Sequence, residues 1–147
     1  MNRNAVHLDH EMWNFKMYCL DTNIVIAIFR GDLALQKKIS IIQQTEIPVA
    51  ITIFSVAELF KGAYKASKQE EAVQLVKEFI KSVHVLPFTQ KSCESFGRDI
   101  NLLHKKGKSA PEFDLLIGCV TKSEGYVLIT RNKKDFEHIP DLHTEVW

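Results

Sequence analysis

The chain is poor in the residues that staple or chelate small proteins. Three cysteines, Cys19, Cys93 and Cys119, stand in apolar contexts with no CxxC spacing. That excludes a disulfide framework and a zinc knuckle and leads us to expect buried free thiols in a reducing compartment. No apolar run approaches the roughly 18 residues of a membrane span, and the first residues lack the cationic start and apolar stretch of a secretory signal. The expected location is the cytoplasm, with no membrane partner. Glycine-rich phosphate loops and a nucleophile elbow are missing, and the six histidines show no ligand spacing joined to cysteine. These absences remove nucleotide-cofactor, serine-hydrolase and zinc chemistry. Charge of one sign is scarce as well: a formal net charge of +1 gives no broad basic field. A nucleic acid would have to be held by local patches.

What is present is the balance of one ordinary folded domain, 46% hydrophobic and 25% charged over 147 residues, long enough to close a core without staples. Residues 1–16 show no clear period and Met17 opens directly onto a strand-like run. The expected division is an N-terminal extension over 1–16, either native or a non-native segment upstream of a natural start at Met17, and a domain over 17–147. Strand-like runs fall at MYCL, Pro48 to Phe54, VHVLPF, Tyr126 to Thr130 and Thr144 to Trp147. Helical spacing fills the intervals: Ile24 to Phe29, Ala34 to Gln44, the stretch after Ser55, Glu70 to Ser82, Gln90 to Lys106, and Pro111 to Glu124. Alternation of this kind argues for an α/β fold around a mainly parallel sheet with helices on both faces. In open sheets of that class ligands gather at the carboxyl ends of the strands.

Acidic or amide residues stand where apolar runs give way to helical pattern: Asp21, Glu58, Asp114 and the pair Asn132 and Asp135. Each has a local explanation. Asp21 suits a helix N-cap, Glu58 stands at capping-box spacing from Ser55, and Asn132 with Asp135 suits a turn. Asp114 is harder to dismiss, because it interrupts the apolar string Phe113, Leu115, Leu116, Ile117. A carboxylate in a buried helix is normally paired or holds a metal. Four independent caps do not explain acids collected at one end of one sheet. Carboxylates without basic neighbours in their motifs repel one another, and divalent cations relieve this. Oxygen-only ligands favour Mg2+ or Mn2+ over zinc, and such a site suits phosphodiester hydrolysis.

The strings LDTN with Asp21, AEL with Glu58, FDLLI with Asp114, and TRNKKDF resemble the PIN-domain ribonucleases, specifically the VapC toxins of bacterial toxin–antitoxin pairs, from Met17 to Trp147. The resemblance implies a three-layer α/β/α PIN-like domain, Mg2+- or Mn2+-dependent cleavage of RNA, a homodimer, and inhibition by a cognate VapB-type antitoxin. It makes Asp21 and Asp114 the principal metal ligands, with Glu58 completing the cluster. The family's fourth position is often acidic and is Asn132 here, so either Asp135 compensates or one ion suffices. Thr22 and Asn23 would orient Asp21 or a water, and Ser55 and Thr130 would place hydroxyls near the metal.

Two basic groups could grip phosphates: Arg131, Lys133 and Lys134 around Asn132, and Lys105, Lys106 and Lys108 around Gly107. Solvated loop lysines explain the second group equally well. Leu59, Phe60, Ala63 and Tyr64 give the Glu58 helix an apolar face, mostly core, whose outer part could receive an antitoxin segment. A competing function is a catalytically silent nucleic-acid or antitoxin-binding module, motivated by Asn132. A phosphatase reading of LDTN is poorer, since the usual second aspartate two residues on is Asn23.

Overall fold

The structure, a computed structural model, describes residues 16–147. The expected extension over 1–16 therefore lies, Lys16 aside, outside the described residues. Its elements in chain order are β1 (Tyr18–Leu20), α1 (Thr22–Phe29), α2 (Leu33–Gln44), β2 (Val49–Thr52), α3 (Ile53–Lys65), α4 (Gln69–Lys81), β3 (His84–Leu86), α5 (Gln90–Lys105), α6 (Glu112–Ser123), β4 (Val127–Thr130), α7 (Lys133–Phe136) and β5 (Thr144–Val146). The five strands form one sheet in the order β3-β2-β1-β4-β5, with every neighbouring pair parallel.

Period-two alternation assigns the strand side chains to two cores. Leu20, Val49, Ile51 and Ile129 join Ile24, Leu35, Ile39, Leu59 and Val76 under α1 to α4. Cys19, Ala50 and Leu128 join Leu103, Leu115, Ile117, Val120 and Phe136 under α5, α6 and α7. The result is the expected three-layer α/β/α domain. Strands buried on both faces carry little polarity, which is why they appear as short unbroken apolar runs. Among the described residues no helix is long and apolar enough to cross a membrane.

The chain builds β1, β2 and β3 outward in one direction, then crosses back to place β4 on the other side of β1. Strand order reverses between β1 and β4, and a crevice opens at the carboxyl ends of such a pair. The helices return antiparallel to the strands, so their amino ends reach the same edge.

Several local readings need correction. The cap of α3 is Thr52, whose hydroxyl accepts from the Ser55 N–H at 3.1 Å, so Ser55 lies three residues inside and no Ser55–Glu58 capping box exists. The strand ends two residues before the apolar run does. Pro111 is the cap of α6 rather than part of its first turn. Of the three thiols, Cys19 and Cys119 are buried but Cys93 is exposed on α5.

A buried ion pair lies on the α5–α6 face. Asp99, 1% exposed, meets the Lys122 ammonium, which also donates to the Pro140 carbonyl at 2.6 Å. The pair joins both helices to the segment before β5. Removing Lys122 leaves the buried Asp99 carboxylate only a looser contact with the exposed Arg98 at 3.6 Å, at a cost of about 3 kcal/mol. Lys122→Met is therefore expected to lower unfolding free energy by that amount in urea titration, and Asp99→Asn added to it recovers part. Equal stability of Lys122→Met and the parent would show that the pair contributes nothing.

Candidate functional site

Asp21 leaves the end of β1 and is pinned from several directions. Its N–H donates to the Ile129 carbonyl of β4 at 2.9 Å. Its side chain caps α1, accepting from the Thr22 N–H at 2.8 Å through Oδ1, while Oδ2 accepts from the Thr130 hydroxyl at 2.9 Å. Thr130 Oγ1 in turn accepts from the Asn132 N–H at 2.9 Å. The cap and the site are thus one residue, and Asp21 is only 3% exposed. The Thr22 hydroxyl donates to Glu58 Oε1 at 2.7 Å and lies 2.9 Å from Ser55 Oγ, tying the first turn of α1 to α3.

The electrostatics connect these acids to Asp114 in the first turn of α6. Burial raises the Asp21 carboxyl above the ordinary range. The Thr130 and Thr22 hydrogen bonds oppose the shift, and Glu58 and Asp135 add to it. Asp114 is pushed up to about 7, first by burial and then by the charges of Asp21, Asp135 and Glu58, with Asp135 in hydrogen-bonding reach. No lysine or arginine is among the groups that move either acid. Four carboxylates, from the end of β1, α3, α6 and α7, thus act on one another at the edge where strand order reverses. Asn132 contributes no charge; its Nδ2 donates to Asp135 Oδ2 and holds that carboxylate.

These oxygens do not form a closed cage. Among the described residues no three His, Cys, Asp or Glu side chains converge tightly enough to hold an ion unaided. The donor chemistry nevertheless fits a hard divalent cation, being carboxylate oxygen throughout and mutually repulsive.

The remaining expected residues are placed less uniformly. Asn23 is exposed and has no side-chain hydrogen bond to Asp21 among the described residues; it lines a depression with Arg30, Asp32 and Arg131. Arg131 is not a loose cation, because it donates to Asp32 Oδ2 at 2.7 Å and to the Trp147 carbonyl at 3.0 Å. Lys133 and Lys134 are exposed on α7. Lys105, Lys106 and Lys108 are also exposed, at and just past the end of α5, with Lys108 Nζ 3.4 Å from His138 Nδ1. Arg30 and Asp32 were not expected here: the sequence marks Gly31-Asp32 as a helix break, and nothing local shows that Asp32 meets a residue across the sheet.

Residues 18–142 match the family described as the PIN domain. The chain belongs to the PIN-domain family. As a PIN domain it is 33% identical over 131 residues to ribonuclease VapC2 of Haemophilus influenzae, spanning 88% of this chain and 97% of that one. It is 26% identical over 130 residues to the tRNA(fMet)-specific endonuclease VapC of Shigella flexneri, spanning 88% of this chain and 97% of that one. The crystal structure of VapBC2 from Rickettsia felis, bound to a DNA fragment from its promoter, superimposes with a TM-score of 0.83 at 29% identity. That likeness covers 89% of this chain and 98% of the other. Both the family and the α/β/α architecture expected from the sequence are borne out.

The raised Asp114 carboxyl has a consequence for stability. Its folded value of about 7 exceeds the ordinary unfolded value of about 3.9. The fold therefore favours the protonated form, and this contribution is complete below about pH 4 and lost as pH rises through about 7. In EDTA, the melting temperature of the PIN domain should fall between pH 5.5 and pH 8 more steeply than that of Asp114→Asn. The variant should be the more stable of the two at pH 8. Parallel pH profiles for both proteins would contradict this.

Proposed function

We propose that the protein is a divalent-cation-dependent endoribonuclease, the toxin of a type II toxin–antitoxin pair, and that Asp21, Glu58, Asp114 and Asp135 are its catalytic and metal-binding acids. The observation that carries this is Asp114, raised to about 7 by burial and by three other acids with no cation to balance them. A cluster of that kind is stabilised by Mg2+ or Mn2+. Mg2+ is commonly held through only one or two carboxylates, the rest of its shell being water and substrate phosphate, so an open arrangement suits it. When bound, the cation polarises a phosphodiester and activates water for in-line attack.

The chain's own side chains prepare that chemistry. Thr130 and the Thr22 N–H fix the Asp21 carboxylate, so its ligand oxygens need little reorganisation. Thr22 holds Glu58, and Asn132 aims Asp135. Asp135 supplies the charge that Asn132 lacks, which removes the main support for a silent binding module. Lys133 and Lys134 lie on α7 beside Asp135, and Lys105, Lys106 and Lys108 lie at and just past the end of α5 on the way to Asp114; both sets suit phosphate contacts. RNA as the substrate class is supported by the ribonuclease and tRNA-specific endonuclease names of the relatives. The domain is taken as 17–147, and the cytoplasm as its place of action.

A protein inhibitor would sit in an apolar groove beside the acids. A groove of about 330 Å3 between α1, α3 and α4 is lined by Ile26, Phe29, Leu59, Ala63 and Leu75 together with Arg30 and Glu58. Leu59 and Ala63 are core, as expected, whereas Tyr64 is exposed. An amphipathic segment of a VapB-type antitoxin laid there reaches an acid of the site directly. Structures of VapB with VapC among the relatives support this partnership. A homodimer would cover a second surface, where Phe88 and Phe113 stand partly exposed against Phe54 at centroid distances of 4.9 and 5.8 Å.

Brief induction followed by sequencing of cleaved RNA ends tests the reading. New ends should appear with the parent and vanish with Asp21→Asn or Asp114→Asn, while Thr130→Val should lose roughly 10- to 100-fold in rate with purified protein and Mn2+. Ends that persist in both Asn variants would overturn the assignment.

A further inference from the structure

We propose that the depression beside the acid site is a subsite for a phosphate neighbouring the scissile one, held by Arg30 and Arg131. This deepens the ribonuclease reading and rests on it. The depression has a volume of about 530 Å3 and is lined by Asn23, Ile26, Arg30, Asp32 and Arg131, among others. Two of its lining residues are chain neighbours of the acid site. Asn23 follows Asp21 by two residues on α1, and Arg131 directly follows Thr130, whose hydroxyl binds Asp21. A strand whose scissile phosphate lies against Asp21 and departs over Asn23 brings its next phosphate here.

The charges suit an anion. Arg131 is held rigid by Asp32 and the Trp147 carbonyl, which engage its Nη2 and Nε and leave further guanidinium N–H groups unused. Asp32 is kept ionised, its carboxyl lowered by the Leu35 N–H and by Arg131, and both interactions are already satisfied within the fold. Arg30, at the end of α1, is exposed and has no side-chain hydrogen bond or ion pair among the described residues. Two guanidinium groups against one committed carboxylate leave a net positive wall. A guanidinium meets phosphate through a planar fork, which an ammonium cannot reproduce. The set could also take an acidic side chain of a protein, but the attachment of Asn23 and Arg131 to the backbone that carries Asp21 and Thr130 favours the nucleic-acid strand.

The test uses a fluorescent single-stranded RNA oligonucleotide spanning the cleavage site mapped by end sequencing. Binding is read by anisotropy in EDTA and cleavage in Mn2+. Arg30→Ala should weaken binding about tenfold, reduce the slope of log affinity against log salt by about one, and raise KM with kcat unchanged. Arg30→Lys should keep the slope and recover only part of the affinity. A methylphosphonate at the neighbouring linkage should cost the parent the same and cost Arg30→Ala nothing further. Circular dichroism melts of both variants should match the parent. Unchanged RNA affinity and slope in Arg30→Ala, with the parent still cleaving, overturns the subsite alone, as does a defect confined to antitoxin binding. A parent that neither binds nor cleaves overturns the ribonuclease reading as well.

Discussion

Repulsion between Asp114 and the acids around it is an interaction that the fold must overcome before any site exists. One of these groups is almost fully buried and another is raised to about 7. The energy that holds them together comes from elsewhere, chiefly from two apolar cores sealed on opposite faces of a short parallel sheet. The reversal of strand order between β1 and β4 then decides which side chains share the strained edge. Asp21 and Thr130 are neighbours because β1 and β4 are, and Glu58 arrives in the second turn of α3 and Asp114 in the first turn of α6.

Ordinary stabilising devices serve this edge as well. Asp21 caps α1 and also offers its carboxylate to the site; Thr130 ends β4 and fixes Asp21 while accepting from Asn132. A helix cap and a metal ligand make the same demand, an oxygen held at a strand-to-helix junction with its lone pairs directed. The fold shows Asp21 as the cap of α1, and the proposed cation site would use the same carboxylate. Glu58 is the counterexample, because its apparent cap was an accident of spacing. Thr52 caps α3, and the Glu58 carboxylate is left to meet Thr22.

What was legible from the sequence was whatever periodicity and local grammar record. Unbroken apolar runs marked the buried strands, and Asp114 stood out as a charge inside one of the most buried helices. Contacts set by topology were not legible. Asp32 and Arg131 pair from opposite ends of the chain, and Asp99 meets Lys122 between helices whose solvent-facing residues look alike in sequence. The depression lined by Arg30 exists only because α1 ends beside the turn that follows β4. The fourth corner of the acid site shows the same limit: the sequence left open whether Asp135 compensates for the uncharged Asn132, and their hydrogen bond brings the amide against that carboxylate.

The central claim is that these four acids constitute one cation site whose mutual repulsion is relieved by binding. Calorimetric titration of the purified protein with Mn2+ near pH 6.5, repeated in buffers of different ionisation enthalpy, addresses it most directly. The account predicts saturable binding that displaces a fraction of a proton, because Asp114 is largely protonated at that pH. Both binding and proton release should be lost in Asp114→Asn. Binding without proton release, or binding that Asp114→Asn leaves intact, would contradict it.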